Sequence, residues 1–252
     1  MDGSCALRTA YRRIVAIIVS MIRPLSLVAL TLAALLTLPF STRAQEGPNS
    51  EEASRIRESI AVLNEIMSTS DTSIPTSITS KAEGIAIFPG TLKAGFIFGG
   101  MRGRGILSAR SEDGWSVPTF MTLTGGSIGL QIGGQATDLV LVITNRRGLE
   151  QFVRNQFKFG ADASAAAGPV GRDAQASTDL QMRAEILSYS RARGLFAGVS
   201  INGSTVRADV DANQRFYGKR LTGPQLVLDK TIVESSTPVP EWVQTLSRHI
   251  TR

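Results

Sequence analysis

The chain has 252 residues, with 27 Lys and Arg against 21 Asp and Glu, one His and one Cys. A zinc centre built from Cys and His needs three or four such ligands, and a disulfide framework needs cysteines in pairs, so neither is available. The first 44 residues carry five Arg and one acid, leaving 22 basic against 20 acidic residues beyond them; that near-balance argues against a nucleic-acid partner.

The length fits one domain with ample core. Ser26 to Phe40 is apolar and uncharged, with Arg23 before it and Thr42-Arg43-Ala44, a small-x-small pattern, after it. These features predict a signal peptide over residues 1–44, cleaved to leave Gln45 first, and an exported protein of the periplasm or cell envelope, peripheral to the membrane. A second apolar patch, Ile14 to Val19, follows Arg12-Arg13. A true start at Met21 gives a leader of ordinary length; an uncleaved two-segment anchor is the competing reading. Cys5 precedes the apolar run rather than following it, which excludes a lipoprotein.

After a polar linker (residues 45–50), Glu51 to Ser68 reads as an amphipathic helix. Ile56, Ile60, Leu63 and Met67 recur at helical spacing, and Glu51 and Glu52 sit at the dipole-favoured first turn. Such a helix either packs its stripe on a core or lies on a membrane surface with Arg55 and Arg57 beside it. Ser73-Ile74-Pro75 opens a short helix that Gly84 closes.

From Gly84 to Gly134 there are thirteen Gly in 51 residues, interleaved with β-branched and aromatic residues. The pattern predicts strands over Gly84–Phe88, Ala94–Phe98, Arg104–Ala109, Pro118–Leu123, Ser127–Ile132 and Leu139–Thr144. Glycines at spacing four (Gly95, Gly99, Gly103; Gly125, Gly129, Gly133) share a strand face. A bare face admits a backbone, a helix or a ligand tail; equally, it marks sharply bent strands of a closed sheet.

Arg146 to Phe159 returns to helical spacing, with Leu149, Phe152, Val153 and Phe157 as its stripe. The small residues of Ala161 to Thr178 read as tightly packed backbone, a strand. Leu187–Arg191, Leu195–Ile201 and Thr205–Val210 form a predicted meander turning at Arg193-Gly194 and Asn202-Gly203. Ala212 to Tyr217 and Pro240 to Ile250 close the chain as short helices.

Catalytic chemistries find little support. His249 is three residues from the end, with no GxSxG elbow before it. Asp209-x-Asp211-x-Asn213 opens like a calcium loop but has Gln214 and Arg220 where Gly and Glu are needed. There is no Walker loop and no complete dinucleotide fingerprint. The chain is therefore read as no enzyme, with no catalytic residue, metal or cofactor. Lys81, Lys93, Arg102 and Arg104 flank the Gly-rich strands, either as solvated strand ends or as a phosphate-binding rim. Arg102 and Arg104 share a face if Gly99-Gly100 leaves the register unbroken.

KAEGIAIFP (from Lys81), KAGFIFGGMRGRG (from Lys93), GWSVPTF (from Gly114), GGSIGLQIGGQATDLVLV (from Gly125), PVGRDAQASTD (from Pro169), SYSRARGLFAGVSINGS (from Ser188) and RFYGK (from Arg215) occur in order. Together they resemble the SYLF-domain family, also called the Ysc84 actin-binding domain, over residues 51–230, with 231–252 as a C-terminal extension. The resemblance implies a single α+β domain: a twisted, mostly antiparallel, Gly-rich sheet or partly closed barrel with packed helices and an N-terminal amphipathic helix.

It also implies non-enzymatic binding of membrane lipid. Eukaryotic relatives are associated with phosphatidylinositol lipids and fungal ones with actin, while bacterial relatives are commonly exported. Carried onto this chain, the helix is Glu51 to Ser68 and the lipid-binding residues are Arg55, Arg57, Lys81, Lys93, Arg102, Arg104 and Arg172. For an exported bacterial member the expected partner is an anionic phospholipid or membrane surface; actin is not expected, and any protein partner is unknown. The alternative is a structural or protein-interaction module using the Gly-rich sheet face.

Overall fold

The computed structural model describes residues 50–251 apart from 69–72, 96–97, 129–132, 155, 172–182, 193, 232 and 234–236. The leader segment, its cleavage pattern, Arg172 and the end of the predicted strand Ser127–Ile132 lie outside the described residues. All described elements belong to one compact unit, Gln45–Arg252.

Helix α1 (Glu51–Ser68) begins where the Ser50 hydroxyl accepts the Ala53 N–H at 3.1 Å, satisfying one of the orphan donors of the first turn. After the short α2 (Thr76–Thr79), β1 (Gly84–Gly95) and β2 (Phe98–Ser111) form a long antiparallel hairpin, with β3 (Gly114–Trp115) folded back on β2. Then come β4 (Thr119–Ile128), β5 (Gly133–Ile143), α3 (Arg146–Phe152), β6 (Gln156–Lys158), β7 (Ala165–Ala167), β8 (Ile186–Ala192), β9 (Leu195–Gly198) and β10 (Thr205–Ala208). Helices α4 (Val210–Tyr217), α5 (Gly223–Val227) and α6 (Val239–His249) close the chain.

The ten described strands make one curled sheet in the order β6-β10-β4-β2-β1-β5-β8-β7, with β3 beside β2 and β9 beside β8. Among the described strands, β7 and β8 are the one parallel pair. This is the expected single α+β domain, its mixed sheet forming a half-barrel, with six helices among the described residues.

The sheet has a core on each side. Inside the curl lie Phe88, Met121, Leu123, Leu141, Phe157 and Val206, all fully buried. On the outer side, Ile85, Ile87, Ile106 and Phe120 are covered by helices and are also fully buried. Helix α1 commits its stripe to that layer: Ile56 and Leu63 have no exposure and Ile60 has 6 %. The core-packing reading of α1 is the one realised, so its apolar stripe is not a free surface. Helix α6 is part of the same layer rather than an appendage, since Trp242 is fully buried and its indole N–H donates to Ser108 Oγ at 2.8 Å.

Inner glycines serve the curl. A Cβ at Gly105 would stand 2.2 Å from the Ile87 carbonyl oxygen, and one at Gly125 would stand 2.4 Å from Ser204 Oγ. A Cβ at Gly103 would likewise stand 2.4 Å from Thr91 Oγ1. This part of the Gly-rich face is closed by its own chain, which is the bent-strand reading and leaves no slot there for a partner.

Several local assignments change. Ala94–Phe98 is not a separate strand; it takes in the end of β1 and the start of β2, where Gly95 pairs with Gly99. Gly84 opens β1 instead of ending α2. The predicted helix over Arg146–Phe159 stops at Phe152, because Phe157 enters the inner core from strand β6 and packs against Phe152 and Phe159 at centroid distances of 5.2 and 5.0 Å. The predicted meander is half right. β8 pairs with β9, but β10 leaves them to insert between β4 and β6, so the turn at Asn202-Gly203 is no hairpin. Gly203 has φ +81° and its N–H donates to the Phe159 carbonyl.

Candidate functional site: a cationic rim on the outer sheet face

The β1–β2 hairpin carries the sequence-predicted cations, and its register decides which of them meet. Leu92 opposes Arg102 and Lys93 opposes Met101. The irregularity falls in β1, between Ile87 and Leu92 where Pro89-Gly90 bends the strand, and not at Gly99-Gly100. β2 therefore runs regularly against β4 from Phe98 to Leu107, so Arg102 and Arg104 do share one face. Both side chains are exposed, on the outer side, beyond the edge of the helical layer.

A groove of about 440 Å³ runs between the first half of α1, the β1 bend and this stretch of β2. Arg102 and Arg104 line it with Leu92, which is 60 % exposed, and with Glu51 and Glu58 from α1. Glu51 forms an ion pair with Arg104 and lies 3.4 Å from Arg55 Nη2. The rim thus holds guanidinium groups suited to phosphate oxygens, an adjacent apolar side chain, and an internal carboxylate already seated on one arginine.

The other predicted residues are dispersed. Arg55 is 5 % exposed and belongs to the interior: it stacks on Phe120 at 5.2 Å from the ring centroid and pairs with Asp209 at 3.5 Å. It anchors α1 to the start of α4 and, although buried, lines the same groove as Arg102 and Arg104. Arg57 is on the solvent side of α1. Lys93 opposes the buried Met101, so its register position is on the inner face, opposite to Arg102. Lys81 is exposed just before β1, whose Gly84 pairs with Ala109 at the far end of the hairpin from Leu92 and Arg102. Eight residues of strand, about 26 Å at the usual rise, separate the two ends. Among the described residues, Arg102 and Arg104 come together as exposed side chains, with the buried Arg55 reaching the same groove.

Beside the rim, α1 is held by charge. The Glu52 carboxylate is fully buried and accepts from Arg215 of α4 at 2.7 and 2.8 Å. That hydrogen bond raises the Arg215 pKa above its ordinary value. At the other end of the helix, Glu65 pairs with Arg191, which also holds Asp138 at 2.7 Å.

The remaining motifs are structural. Asp209 caps α4, accepting the Ala212 N–H at 3.1 Å. The Asn213 amide accepts from the Phe120 N–H at 2.9 Å and donates to the Leu221 carbonyl at 2.9 Å. Asp211 pairs with Arg220. His249 Nε2 lies 2.8 Å from Asn64 Oδ1 and docks α6 on α1. Among the described residues, no group of three His, Cys, Asp or Glu side chains is arranged to hold a metal ion, and no helix is long and apolar enough to cross a membrane.

Sequence reasoning missed two cations on the same outer face, Arg207 of β10 and Lys158 of β6. The alternation Thr205-Val206-Arg207 carries a strand signal, but nothing in it tells which strand β10 joins. Lys158 was hidden by the helical reading of its segment.

Comparison with known proteins yields a consistent picture. The Ysc84 family, described as "Las17-binding protein actin regulator", matches residues 124–252. The chain is 39 % identical over 158 residues to the SH3 domain-containing protein PJ696.02 of Schizosaccharomyces pombe, covering 61 % of this chain and 36 % of that protein. It is 34 % identical over 181 residues to LAS seventeen-binding protein 3 of Saccharomyces cerevisiae, covering 70 % and 39 %. It is 35 % identical over 170 residues to human SH3 domain-containing YSC84-like protein 1, covering 66 % and 49 %. The chain thus spans less than half the length of each of these relatives.

Proposed function

Because the chain belongs to the Ysc84 family, we propose that it is a non-enzymatic binding module that engages anionic phospholipid at a bacterial cell envelope. The observation that carries this is the pairing of Arg102 and Arg104 on one open face of β2 with the exposed Leu92 opposite Arg102. Two guanidinium forks on a rigid strand suit headgroup phosphates, and a neighbouring apolar side chain suits the boundary with the acyl layer. The apolar segment Ser26–Phe40 and the Thr42-Arg43-Ala44 pattern support export. Unlike the expectation drawn from sequence, the contact is made by the sheet face, since the stripe of α1 is used in the core.

Co-sedimentation of the full chain with phosphatidylcholine vesicles, with and without phosphatidylglycerol, tests the proposal. Recovery is expected to rise with the anionic lipid and to fall on replacing Arg102 and Arg104 together by Ala. Equal recovery with both vesicle types overturns it.

A second reading, a protein-interaction module, is favoured by the relatives' names, which refer to Las17 binding. Retention of a protein from envelope extract, undiminished when lipid is removed and unaffected by the double Ala variant, would select it.

A further inference from the structure

Opposed residues of an antiparallel pair share a face, so register can be followed from strand to strand. Arg102 opposes Thr124, Thr124 opposes Thr205, and Thr205 opposes Lys158. One step along, Arg104 opposes Thr122, Thr122 opposes Arg207, and Arg207 opposes Gln156. Two rows of side chains therefore cross four strands on the outer face. Burial confirms which face this is: the alternate residues Met121, Leu123, Val206 and Phe157 are fully buried inside the curl, while Arg102, Arg104, Arg207 and Lys158 are exposed.

No carboxylate stands in either row. Of the carboxylates at the margins, Glu51 pairs with Arg104, Asp209 turns to Arg55, Asp162 accepts the backbone N–H of Lys158, and Glu58, which lines the groove with Arg102, accepts from the Ser54 hydroxyl. Further along the same face, Ile106 and Phe120 lie under the helices. The charged rows begin where that helical cover ends.

From this placement we infer that the outer face of β2, β4, β10 and β6 is one cationic platform, completed by Arg207 and Lys158, on which the domain lies flat against an anionic bilayer. The inference rests on the lipid reading above and extends it from a rim to an oriented surface. Strand geometry puts Arg102 and Arg104 about 7 Å apart, β10 about 10 Å from β2, and β6 about 14 Å from it. Cations spread in two dimensions on a rigid sheet match a field of headgroups better than they match one phosphate or a linear polyanion. Threonine hydroxyls between them can donate to phosphate oxygens, and Leu92 stands next to Arg102 in the first row. Lys158 also has an alternative use, since a lysine on an edge strand discourages pairing with another sheet. Arg207 is on an internal strand, where that use does not arise.

The test compares full-length wild-type protein with three variants: Arg102→Ala with Arg104→Ala, Lys158→Ala with Arg207→Ala, and Arg207→Ala alone. Each is titrated with phosphatidylcholine vesicles with and without phosphatidylglycerol, and with poly-L-glutamate as a soluble acidic peptide. A cation near an anionic membrane contributes about five-fold to affinity, so the Lys158/Arg207 pair is expected to weaken anionic-vesicle binding roughly 20-fold and Arg207→Ala alone roughly 5-fold. Circular dichroism should show unchanged folding, because the side chains removed are exposed. If wild type binds and only the Arg102/Arg104 variant is weakened, the platform is overturned while the lipid reading stands. If wild type shows no preference for anionic vesicles, the lipid reading falls and the platform with it. Binding of poly-L-glutamate without vesicle binding overturns the platform in favour of an acidic protein partner.

Discussion

Glu51, the first residue of α1, places its carboxylate on the guanidinium of Arg104, one of the two arginines that share the open face of β2. The same carboxylate lies within 3.4 Å of Arg55. The chain therefore supplies an anion of its own at the place where the proposed headgroup binds. Glu51→Gln should free Arg104 and strengthen binding to phosphatidylglycerol vesicles. An exposed pair of this kind contributes about 0.5–1 kcal/mol, so the gain should be about two- to five-fold. Vesicle titration at low and at physiological salt checks this, and an unchanged or weakened affinity would mean that Glu51 does not compete.

The glycines of the two sheet faces should respond unequally to substitution. Gly105→Ala puts a methyl 2.2 Å from the Ile87 carbonyl oxygen, which the curl has no room to accommodate, and should cost about 1–3 kcal/mol. Gly126 has nothing within 4 Å of the position a Cβ would occupy, so Gly126→Ala should shift stability by less than about 0.5 kcal/mol. Urea unfolding midpoints measure both; equal effects would contradict a closed inner face.

Trp242 tests whether the C-terminal helix belongs to the fold. It is fully buried, and its indole N–H donates to Ser108 Oγ on β2 at 2.8 Å. Trp242→Ala should cost about 3–5 kcal/mol by leaving a cavity. Trp242→Phe keeps most of the ring volume but leaves the Ser108 hydroxyl without that donor, and should cost about 1–3 kcal/mol. A denaturant midpoint insensitive to Trp242→Ala would show that α6 folds apart from the sheet.

His249 makes stability depend on mildly acidic pH. Burial, with Arg248 nearby, lowers its pKa below the ordinary 6.5, so the folded protein favours the neutral ring. Between the folded and unfolded values the unfolded chain binds more protons, and stability rises with pH there. Stability contributed by the neutral ring is fully present above 6.5 and is lost as pH falls through the folded value. Urea midpoints should therefore decline on going from pH 7 towards pH 5, and His249→Gln, which does not titrate, should flatten that decline. An identical profile in the variant would assign the loss to other groups.

Much of this fold is legible because its signals are local. Glu51–Ser68 forms a helix with the bounds its apolar spacing predicts, and the Gly-rich, β-branched segments do become strands. The failures are equally instructive. Phe157 keeps helical spacing with Leu149 and Val153, yet it is a strand residue because the aromatic cluster with Phe152 and Phe159 fills the inner core. Asn202-Gly203 has hairpin composition, yet β10 pairs with β4 and β6 because the chain crosses the sheet there.

The candidate site shows the same division. Arg102 and Arg104 were found because two residues of one regular strand share a face whatever the strand pairs with. Arg207 and Lys158 join them only through the pairing of β4 with β10 and of β10 with β6, over sequence separations that no local pattern encodes. Arg55 has the same side chain as Arg102, and nothing in its local sequence hides it from solvent, yet it is buried against Phe120 and Asp209.

Composition and ordered motifs by themselves determined the family, the α+β class and the near-balance of charge beyond residue 44. Tertiary structure alone decided which glycines are enclosed, which face of α1 is consumed and which cations face water. The physical reason is that a side chain's solvent exposure is set by what the chain brings over it from elsewhere, and only the folded sheet specifies that.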